Sequence, residues 1–279
     1  MGAEAAGEVF GRYRLLETLR WGGRGTVYRA YDTTMEREVA IQVLPESADA
    51  PDQHRRLRDE VALAARLNNP NIIPIYEVDE IDGRLYLAMP VLDGIDAQSL
   101  LHRDGPMSPR TAVRVVEQAA VALAAAHESG LVHGGVKPSN LFVVGGEFVY
   151  LLDFGVAAHT PGRVDPGPVH PSTDIHDLAC VLYECLTGQA ADSAEGAAPK
   201  PTDVDPAIPT GFDAVIARGM AEKPDDRYPS VRELAYAARD ALASPVARTA
   251  AATAPAAEVE FGRYRLFELL GQGSMGSVY

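Results

Sequence analysis

A carboxylate and an amide flank one short predicted hairpin and could together hold a metal ion. Asn140 precedes two apolar runs, residues 141–144 and 148–152, which two consecutive glycines separate in the manner of a β-hairpin turn. Asp153 follows the second run directly. Carboxylate and amide oxygens suit Mg²⁺, so Asn140 and Asp153 are candidate magnesium ligands. Because Asp-containing turns are common, the two side chains could equally order the loops without binding metal.

The elements around these side chains change character near Pro90. Before it the patterns are mainly β-like, interrupted by one amphipathic helix, and after it helical periodicity dominates. The predicted strands cover residues 13–19, 26–31, 38–43, 73–78 and 85–89, and the predicted helices residues 53–67, 111–129, 174–187, 211–221 and 230–243. A small sheet-rich lobe followed by a larger helical lobe is an α+β arrangement with a cleft between the lobes.

An internal repeat indicates the domain organisation. The sequence FGRYRLLETLRWGGRGTVY at residues 10–28 returns as FGRYRLFELLGQGSMGSVY at residues 261–279, with 12 of 19 positions identical. The offset of 251 residues is the length of a domain and too long for a solenoid unit. We expect a tail at residues 1–9, one domain at 10–243, an Ala/Pro/Thr-rich linker at 244–258 and, at 259–279, the start of a second domain cut short as in a fragment.

The composition excludes several functional classes. A net charge of −14 over 279 residues argues against non-specific binding to nucleic acid or to an anionic membrane surface. Cys180 and Cys185 lie on one predicted helix, and no CxxC or Cys/His cluster occurs, so a reducing cytoplasm fits better than a disulfide framework. The sequence shows neither a signal peptide nor an apolar run long enough to span a bilayer.

A series of motifs, in order, resembles those of the bacterial eukaryotic-like serine/threonine protein kinases. The motifs are a glycine-rich loop at residues 20–27, V-A-I-Q at 39–42, a hinge at 89–92, H-G-G-V-K-P-S-N at 133–140 and D-F-G at 153–155. Each alone is weak, but their order and spacing are specific and cover nearly all of residues 10–243. The resemblance implies a bilobal protein-kinase-like fold, with ATP in the cleft and Mg²⁺ on Asn140 and Asp153.

The glycine-rich loop is incomplete in the first copy of the repeat. It keeps Gly22 and Gly25, but Arg20 replaces the first glycine. Glycines let backbone N–H groups approach phosphate oxygens closely, although the same residues also fit an ordinary hairpin turn. The second copy has all three glycines, Gly271, Gly273 and Gly276.

Gln42 stands where the family has the lysine that holds the α- and β-phosphates and pairs with a helix glutamate, matched here by Glu60. An amide can donate a hydrogen bond to a phosphate but cannot neutralise its charge, and charge-assisted bonds are about twice as strong. Glu60 could therefore face water or pair with Arg20 or Arg24. Arg24 could also stand in for the missing lysine.

The catalytic loop lacks its two principal side chains. Gly134 and Gly135 stand where the family pattern H-R-D has the arginine that receives an activation-loop phosphate and the aspartate that accepts the substrate proton. General-base catalysis contributes about 10²–10⁴-fold, and glycine has no side chain for it. With Gly135 at the base position and Gln42 at the lysine position, no catalytic residue of this pair is intact.

The adenine side of the implied site is better preserved. The carbonyl of Pro90 and the N–H of the residue two positions later could read the purine edge at the hinge. A phenylalanine on the floor could stack on adenine or fill its space. The implied nucleotide-binding residues on this side are Val27, Ala40, Met89, Leu92 and Phe142.

Two segments are shorter than the family pattern. Residues 156–173 contain no A-P-E motif, so the peptide-docking loop is predicted to be deleted, and residues 189–209 replace a further substrate-docking helix. Arg227 matches the arginine that normally pairs with the A-P-E glutamate. Its presence predicts a new carboxylate partner.

These departures fall together on phosphotransfer, whereas the apolar helical patterns are sound. The sequence therefore predicts a catalytically impaired pseudokinase, a regulatory or scaffolding module whose partner is a downstream kinase domain or another signalling protein. ATP and Mg²⁺ are the implied ligands, bound weakly or not at all. A weakly active, noncanonical kinase that uses Arg24 and Asp153 is the alternative, and a passive spacer is a third hypothesis.

Overall fold

The computed structural model describes residues 7–22, 25–44, 51–154, 170–191 and 198–246, together with four short strands between residues 259 and 278. Met1–Val246 form one compact unit and Ala247–Tyr279 form a second. The first unit contains a sheet-rich lobe followed by a helical lobe, which confirms the predicted α+β class. In the described part of the chain, no helix combines the length and the apolar character of a membrane span.

The small lobe is a six-stranded antiparallel sheet with one helix. Its strands are β1 (Val9–Phe10), β2 (Tyr13–Gly22), β3 (Gly25–Asp32), β4 (Arg37–Val43), β5 (Glu77–Ile81) and β6 (Arg84–Met89), in the order β1-β2-β3-β4-β6-β5, and the helix is α1 (Pro51–Ala64). Successive side chains of a strand point to opposite faces. Tyr28 and Ala30 of β3 are accordingly buried in the core, while Val27 and Arg29 face the interlobe cavity.

One strand begins later than the sequence pattern indicates. The apolar run at residues 73–78 predicted a strand, but β5 starts only at Glu77. Pro74 lies in this run and lacks the N–H that a strand ladder needs, so the segment before β5 takes another course. Ile72 makes an isolated parallel bridge with Leu151, and this contact ties the segment to the large lobe.

The large lobe is mainly helical, as predicted. Its helices are α2 (Ala97–Asp104), α3 (Pro109–Glu128), α4 (Pro171–Thr187), α5 (Pro201–Val204), α6 (Gly211–Gly219) and α7 (Val231–Ala241). Helix α3 starts where Ser108 accepts a hydrogen bond from the Thr111 N–H, with Pro109 in the first turn. The alanines Ala119, Ala122 and Ala126 of α3 are all fully buried.

A three-stranded sheet in the large lobe carries the predicted hairpin. Strand β8 (Leu141–Val144) and strand β9 (Phe148–Leu151) pair antiparallel, and β7 (Gly94–Asp96) joins the edge of β8. The sequence pattern located the hairpin but missed β7 and α2, which are too short to show a clear periodicity. At the open end of the hairpin the Leu152 N–H donates to the Asn140 carbonyl at 2.9 Å. Asn140 and Asp153 therefore leave the sheet at the same end.

The second unit repeats the hairpins of the first. Its strands are β10 (Val259–Phe261), β11 (Tyr264–Leu266), β12 (Gly271–Gly273) and β13 (Gly276–Val278). Phe261 pairs with Tyr264, as Phe10 pairs with Tyr13 in the first copy. Gly271 pairs with Val278 at the positions that Arg20 and Val27 hold in the first copy. The two copies of the repeat therefore share their pairing register.

Candidate functional site

A cavity of about 630 Å³ lies between the two lobes. The small lobe contributes the undersides of β2, β3, β4 and β6, and the large lobe contributes β7, β8 and the segment after β9. Seven of the residues proposed from the sequence line it, namely Val27, Ala40, Gln42, Met89, Leu92, Phe142 and Asp153. Gly25, Gly135 and Asn140 are not among the described residues that line it.

The hinge side of the cavity is apolar. Ala40 pairs with Met89 across β4 and β6, so both side chains come to the end of the sheet where the chain crosses to the large lobe. Pro90, Val91 and Leu92 line the cavity directly after β6. A concave apolar wall with a few polar backbone groups is the usual form of a small-molecule site.

The cavity also contains polar residues that the motif analysis did not single out. Asp96 and Ser99 line its mouth beside Phe142. Asp96 starts helix α2 by accepting hydrogen bonds from the N–H of Ser99 at 2.9 Å and from its hydroxyl at 2.7 Å. An aspartate directly before a helix-forming run is an N-cap signal that could have located the start of α2 from the sequence.

Gln42 lies where the sequence placed it, at the inner end of the cavity. Its side chain is almost fully buried, and its amide nitrogen is 3.4 Å from a carboxylate oxygen of Asp153. This contact is long for a hydrogen bond and carries no charge on the donor side. Gln42 therefore reaches Asp153 without neutralising it.

Arg20 provides the charge that Gln42 lacks. Its side chain extends from the end of β2 in the small lobe and donates to Asp153 Oδ2 at 2.6 Å and to the Ser139 carbonyl at 3.0 Å. Asp153 is 4% exposed at its side chain, whereas Arg20 is 36% exposed. The ion pair therefore joins the two lobes across the cavity, with one partner buried and the other partly open to solvent.

The geometry decides one of the two partners suggested for Glu60. Arg20 pairs with Asp153 and not with Glu60, so that hypothesis is wrong. Arg24, the other suggested partner, lies outside the described residues. Glu60 itself is half-buried on α1.

Asn140 keeps one feature of a metal ligand. The side chain is 1% exposed, and its amide nitrogen donates to the Gly135 carbonyl at 2.9 Å. Its carbonyl oxygen is buried and has no hydrogen-bond partner among the described residues. Buried polar atoms are usually paired, so this oxygen could accept a cation.

Asp153 does not offer a matching oxygen for a divalent ion. One of its carboxylate oxygens faces the Arg20 guanidinium, and the other faces the Gln42 amide. Mg²⁺ requires near-ideal octahedral geometry from oxygen ligands, and a neighbouring guanidinium repels it. In this arrangement, Asn140 and Asp153 together do not fit a divalent cation. Their assignment as magnesium ligands stays a prediction from the sequence.

The backbone of the catalytic loop is held in place although its side chains are missing. Asp174, fully buried at the start of α4, accepts hydrogen bonds from the N–H groups of His133 at 2.9 Å and Gly134 at 2.7 Å. His127 donates to the same carboxylate at 2.7 Å. Gly134 has φ 67°, a conformation that glycine adopts without strain. The loop therefore keeps its shape without an arginine or an aspartate.

The D-F-G phenylalanine packs into this scaffold. Phe154 is buried and meets the His133 ring edge-on, with 4.8 Å between the ring centroids. His133 donates from Nε2 to the Leu152 carbonyl at 2.8 Å. This packing fixes the backbone on both sides of Asp153 and so positions its carboxylate toward the cavity.

The geometry of the β2–β3 hairpin alone accounts for Gly25, the last glycine of the glycine-rich loop. Gly25 has φ 105°, and a Cβ there would lie 2.1 Å from the Val43 carbonyl oxygen. Gly22 pairs with Gly25 at the tip of β2 and β3, and the two residues between them lie outside the described part of the chain. Gly25 is thus required by the fold, whether or not phosphate binds here.

Arg227 binds backbone carbonyls and not the carboxylate that the sequence suggested. Its guanidinium donates to the carbonyls of Ala221 at 2.7 Å, Ser172 at 2.8 Å and Glu222 at 3.3 Å. The Ala221 and Glu222 carbonyls follow the end of α6, where the last C=O groups of a helix lack internal partners. The Ser172 carbonyl lies in the first turn of α4. The prediction of a new carboxylate partner is therefore wrong.

Comparison with known proteins places this fold and cavity in one family. Residues 13–170, more than half of the chain, match the family model described as protein kinase domain. The chain therefore belongs to the protein kinase family. Its bilobal fold is similar to the crystal structure of the Mycobacterium tuberculosis PknI kinase domain, with a TM-score of 0.75, 29% identity and coverage of 86% of this chain and 100% of that one.

Two mycobacterial kinases are among the sequence relatives of this chain. The chain is 40% identical over 270 residues to serine/threonine-protein kinase PknH of Mycobacterium bovis, covering 86% of this chain and 45% of that protein. It is 40% identical over 268 residues to serine/threonine-protein kinase PknE of Mycobacterium tuberculosis, covering 85% and 47%. The chain thus spans less than half the length of these relatives.

Proposed function

We propose that residues 10–243 form a catalytically impaired kinase domain, a pseudokinase, that regulates or scaffolds other signalling components. The observation that carries this proposal is the group at the position of the catalytic base. Gly135 presents only its backbone there, and its carbonyl accepts a hydrogen bond from Asn140 at 2.9 Å. A backbone carbonyl cannot serve as a general base, because it has no protonation equilibrium near neutral pH.

The other substitutions act on the same reaction. Gln42 carries no charge at the lysine position, and Gly134 cannot receive an activation-loop phosphate. The alignment with PknH of Mycobacterium bovis spans 270 positions but includes only 86% of the 279 residues of this chain, so some aligned positions have no residue here. Such gaps are consistent with deletions, for example in the peptide-docking region. By contrast, the scaffold around Asp174 and Phe154 is buried and intact. Loss of catalytic groups within a sound core favours a retained binding role over general decay.

The repeat supports a tandem arrangement with a second kinase domain. The second copy forms hairpins with the same register as the first and has a glycine, Gly271, where the first copy has Arg20. A complete glycine loop suits phosphate binding. The partner we propose for the first domain is therefore the domain that begins with this second copy, with another signalling protein as the other choice.

The proposed ligand of the cleft is ATP or a related adenine compound, bound weakly. The apolar hinge wall and Phe142 can hold a purine, while the phosphate side lacks the lysine. One observation favours the alternative of a weakly active kinase. The guanidinium of Arg20 puts a positive charge beside Asp153, where phosphates would come.

Incubation with labelled ATP distinguishes the pseudokinase from the weakly active kinase. We expect the full 279-residue chain, incubated with Mg²⁺ and γ-labelled ATP, to incorporate no phosphate into itself or into a mixed peptide substrate above the level of the Asp153→Asn variant. Incorporation by the wild type that Asp153→Asn abolishes would establish the weakly active kinase instead. A thermal-shift titration with adenosine, ADP and ATP tests the third hypothesis, because a passive spacer responds to none of them.

A further inference from the structure

Position 20 is one of two positions at which the copies of the repeat differ in charge, the other being Arg24, which aligns with Met275. Arg20 pairs with Val27 on the neighbouring strand, and Gly271 pairs with Val278 in the same way. The backbone position is therefore equivalent in both copies. The first copy adds a guanidinium at this position, and the second copy adds no side chain at all.

The guanidinium makes its contacts entirely in the opposite lobe. Both its partners, the Asp153 carboxylate and the Ser139 carbonyl, belong to the large lobe, on either side of the β8–β9 hairpin. A guanidinium has five N–H donors in a planar fork, and these contacts use two of them. The side chain is 36% exposed, so the remaining donors can meet a ligand in the cavity.

The Arg20 guanidinium and a divalent metal would both bind the Asp153 carboxylate, so they compete for it. A metal on Asp153 would have to displace the Arg20 guanidinium or lie beside it, and like charges at contact distance repel strongly where water is excluded. The Gln42 amide lies 3.4 Å from the other carboxylate oxygen and so crowds the second approach to Asp153. The arrangement already neutralises Asp153 with a cation that belongs to the chain.

We propose that Arg20 is the resident cation of this cleft, and that the domain binds adenine nucleotides without a divalent metal. The guanidinium holds Asp153 with one donor and the Ser139 carbonyl with another, and it offers the remaining donors to a phosphate. Arginine suits this double role because its charge is permanent and its donors are fixed in one plane. This inference rests on the proposed function, since it names the form of the ligand that the impaired site accepts.

The test compares metal dependence in the full chain and in position-20 variants. Adenosine, ADP and ATP are titrated by calorimetry, in a chelator and again with Mn²⁺. For the wild type we expect ATP affinities within about twofold in the two conditions. Arg20→Gln, and Arg20→Gly, which introduces the residue type of the second copy, should weaken ATP about tenfold in the chelator and recover with Mn²⁺, because one charged hydrogen bond is lost and a metal can take its place.

The controls isolate the charge at this one position. Arg14→Gln changes an exposed arginine on the same strand and should leave every affinity at the wild-type value. Adenosine has no phosphates and should not respond to metal in any variant. Electron paramagnetic resonance of wild-type protein with Mn²⁺ alone should show no protein-bound metal. The wild-type calorimetry in chelator and with Mn²⁺ decides whether ATP binding needs a metal, even if the Arg20 variants fail to fold.

Several outcomes would overturn the proposal. They are wild-type ATP binding that requires Mn²⁺, wild-type protein that binds no adenine ligand in either condition, stoichiometric Mn²⁺ on the wild type, and Arg20 variants with the wild-type metal response. None of these results bears on phosphate transfer. Metal-dependent binding without labelled-phosphate incorporation would reject the role of Arg20 and leave the pseudokinase proposal standing.

Discussion

The Arg20 guanidinium of the small lobe lies 2.6 Å from the Asp153 carboxylate of the large lobe, although 133 residues separate them in sequence. Arg20 stands at the position of the first glycine of the glycine-rich loop pattern, and Asp153 is the acid of the D-F-G motif. The arginine introduced in the glycine-rich loop thus pairs with the acid of the D-F-G motif across the cavity that both residues line. The two lobes are joined by a charge pair within the cavity.

Gln42→Lys should tighten ATP more than it tightens adenosine. The Gln42 amide is buried beside Asp153, and a lysine ammonium there would bring a charge that only a ligand with phosphates can use. A charged hydrogen bond is worth about 1.5–3 kcal/mol, so we expect about 10- to 150-fold for ATP relative to adenosine. Calorimetry in a chelator measures both ligands.

Gln42→Met is the matched control for this substitution. It keeps the length of the side chain but introduces no charge, so both ligands should change by the same small factor. Equal effects of Gln42→Lys on ATP and adenosine would contradict a phosphate-facing role for position 42.

Arg227→Ala should destabilise the large lobe. The guanidinium joins the Ser172 carbonyl at the start of α4 to the carbonyls of Ala221 and Glu222 after α6. Hydrogen bonds from charged donors contribute about 1.5–3 kcal/mol each, and the losses are not additive, so we expect the free energy of unfolding to fall by at least about 2 kcal/mol. Urea unfolding followed by circular dichroism measures this change.

Arg232→Ala provides the comparison for Arg227. The Arg232 side chain is 52% exposed and pairs with Glu128 on the surface at 3.0 Å. Exposed pairs of this kind contribute about 0–1 kcal/mol, so this variant should unfold at nearly the wild-type urea concentration. The same loss in both variants would show that the carbonyl contacts of Arg227 add nothing to stability.

Asp32 should give the small lobe a pH-dependent stability. Burial alone would raise the pKa of its carboxyl, but the N–H groups of Met35 and Thr34 and the Arg12 guanidinium outweigh this effect and lower the pKa below the usual 3.8. The folded pKa is thus below the unfolded one. The stabilisation is fully present above the unfolded pKa and is lost as the pH falls through it toward the folded value.

Asp32→Asn should remove this contribution. We expect a loss of about 1–3 kcal/mol at pH 7, and the difference from the wild type should shrink between about pH 5 and pH 3. Glu36→Gln, at an exposed position in the same β3–β4 turn, should show neither effect. A wild-type-to-Asp32→Asn difference that stays constant down to about pH 3 would exclude a lowered pKa at Asp32.

Cys180 and Cys185 should resist alkylation in the folded protein. Burial raises the pKa of each thiol to about 12, and the carboxylates of Asp177 and Glu184 add to this effect at Cys180. Only the thiolate reacts, so iodoacetamide labelling at about pH 8 should be more than about 100-fold slower than in guanidinium chloride. Mass spectrometry reports both sites, and rapid labelling of either thiol in native protein would contradict the burial assigned to it.

The sequence alone determined the class of the fold and the location of the altered motifs. Periodicity and turn glycines define the long helices, the β8–β9 hairpin and the change of lobe near Pro90, because these features depend on residues a few positions apart. Motif order was sufficient to assign Gln42 and Gly135 to their positions in the family pattern. Where local signals were short or in conflict, as at α2 and at the Pro74 segment, the pattern missed an element or misplaced its start.

Only the tertiary structure decided which side chain each long-range charge meets. The sequence offered water, Arg20 or Arg24 for Glu60 and a carboxylate for Arg227. The structure instead pairs Arg20 with Asp153, and Arg227 with three backbone carbonyls. Long side chains reach any acceptor that the packed elements bring within a few ångströms, and that set is fixed by how the lobes close and the helices pack. No spacing along the chain encodes it.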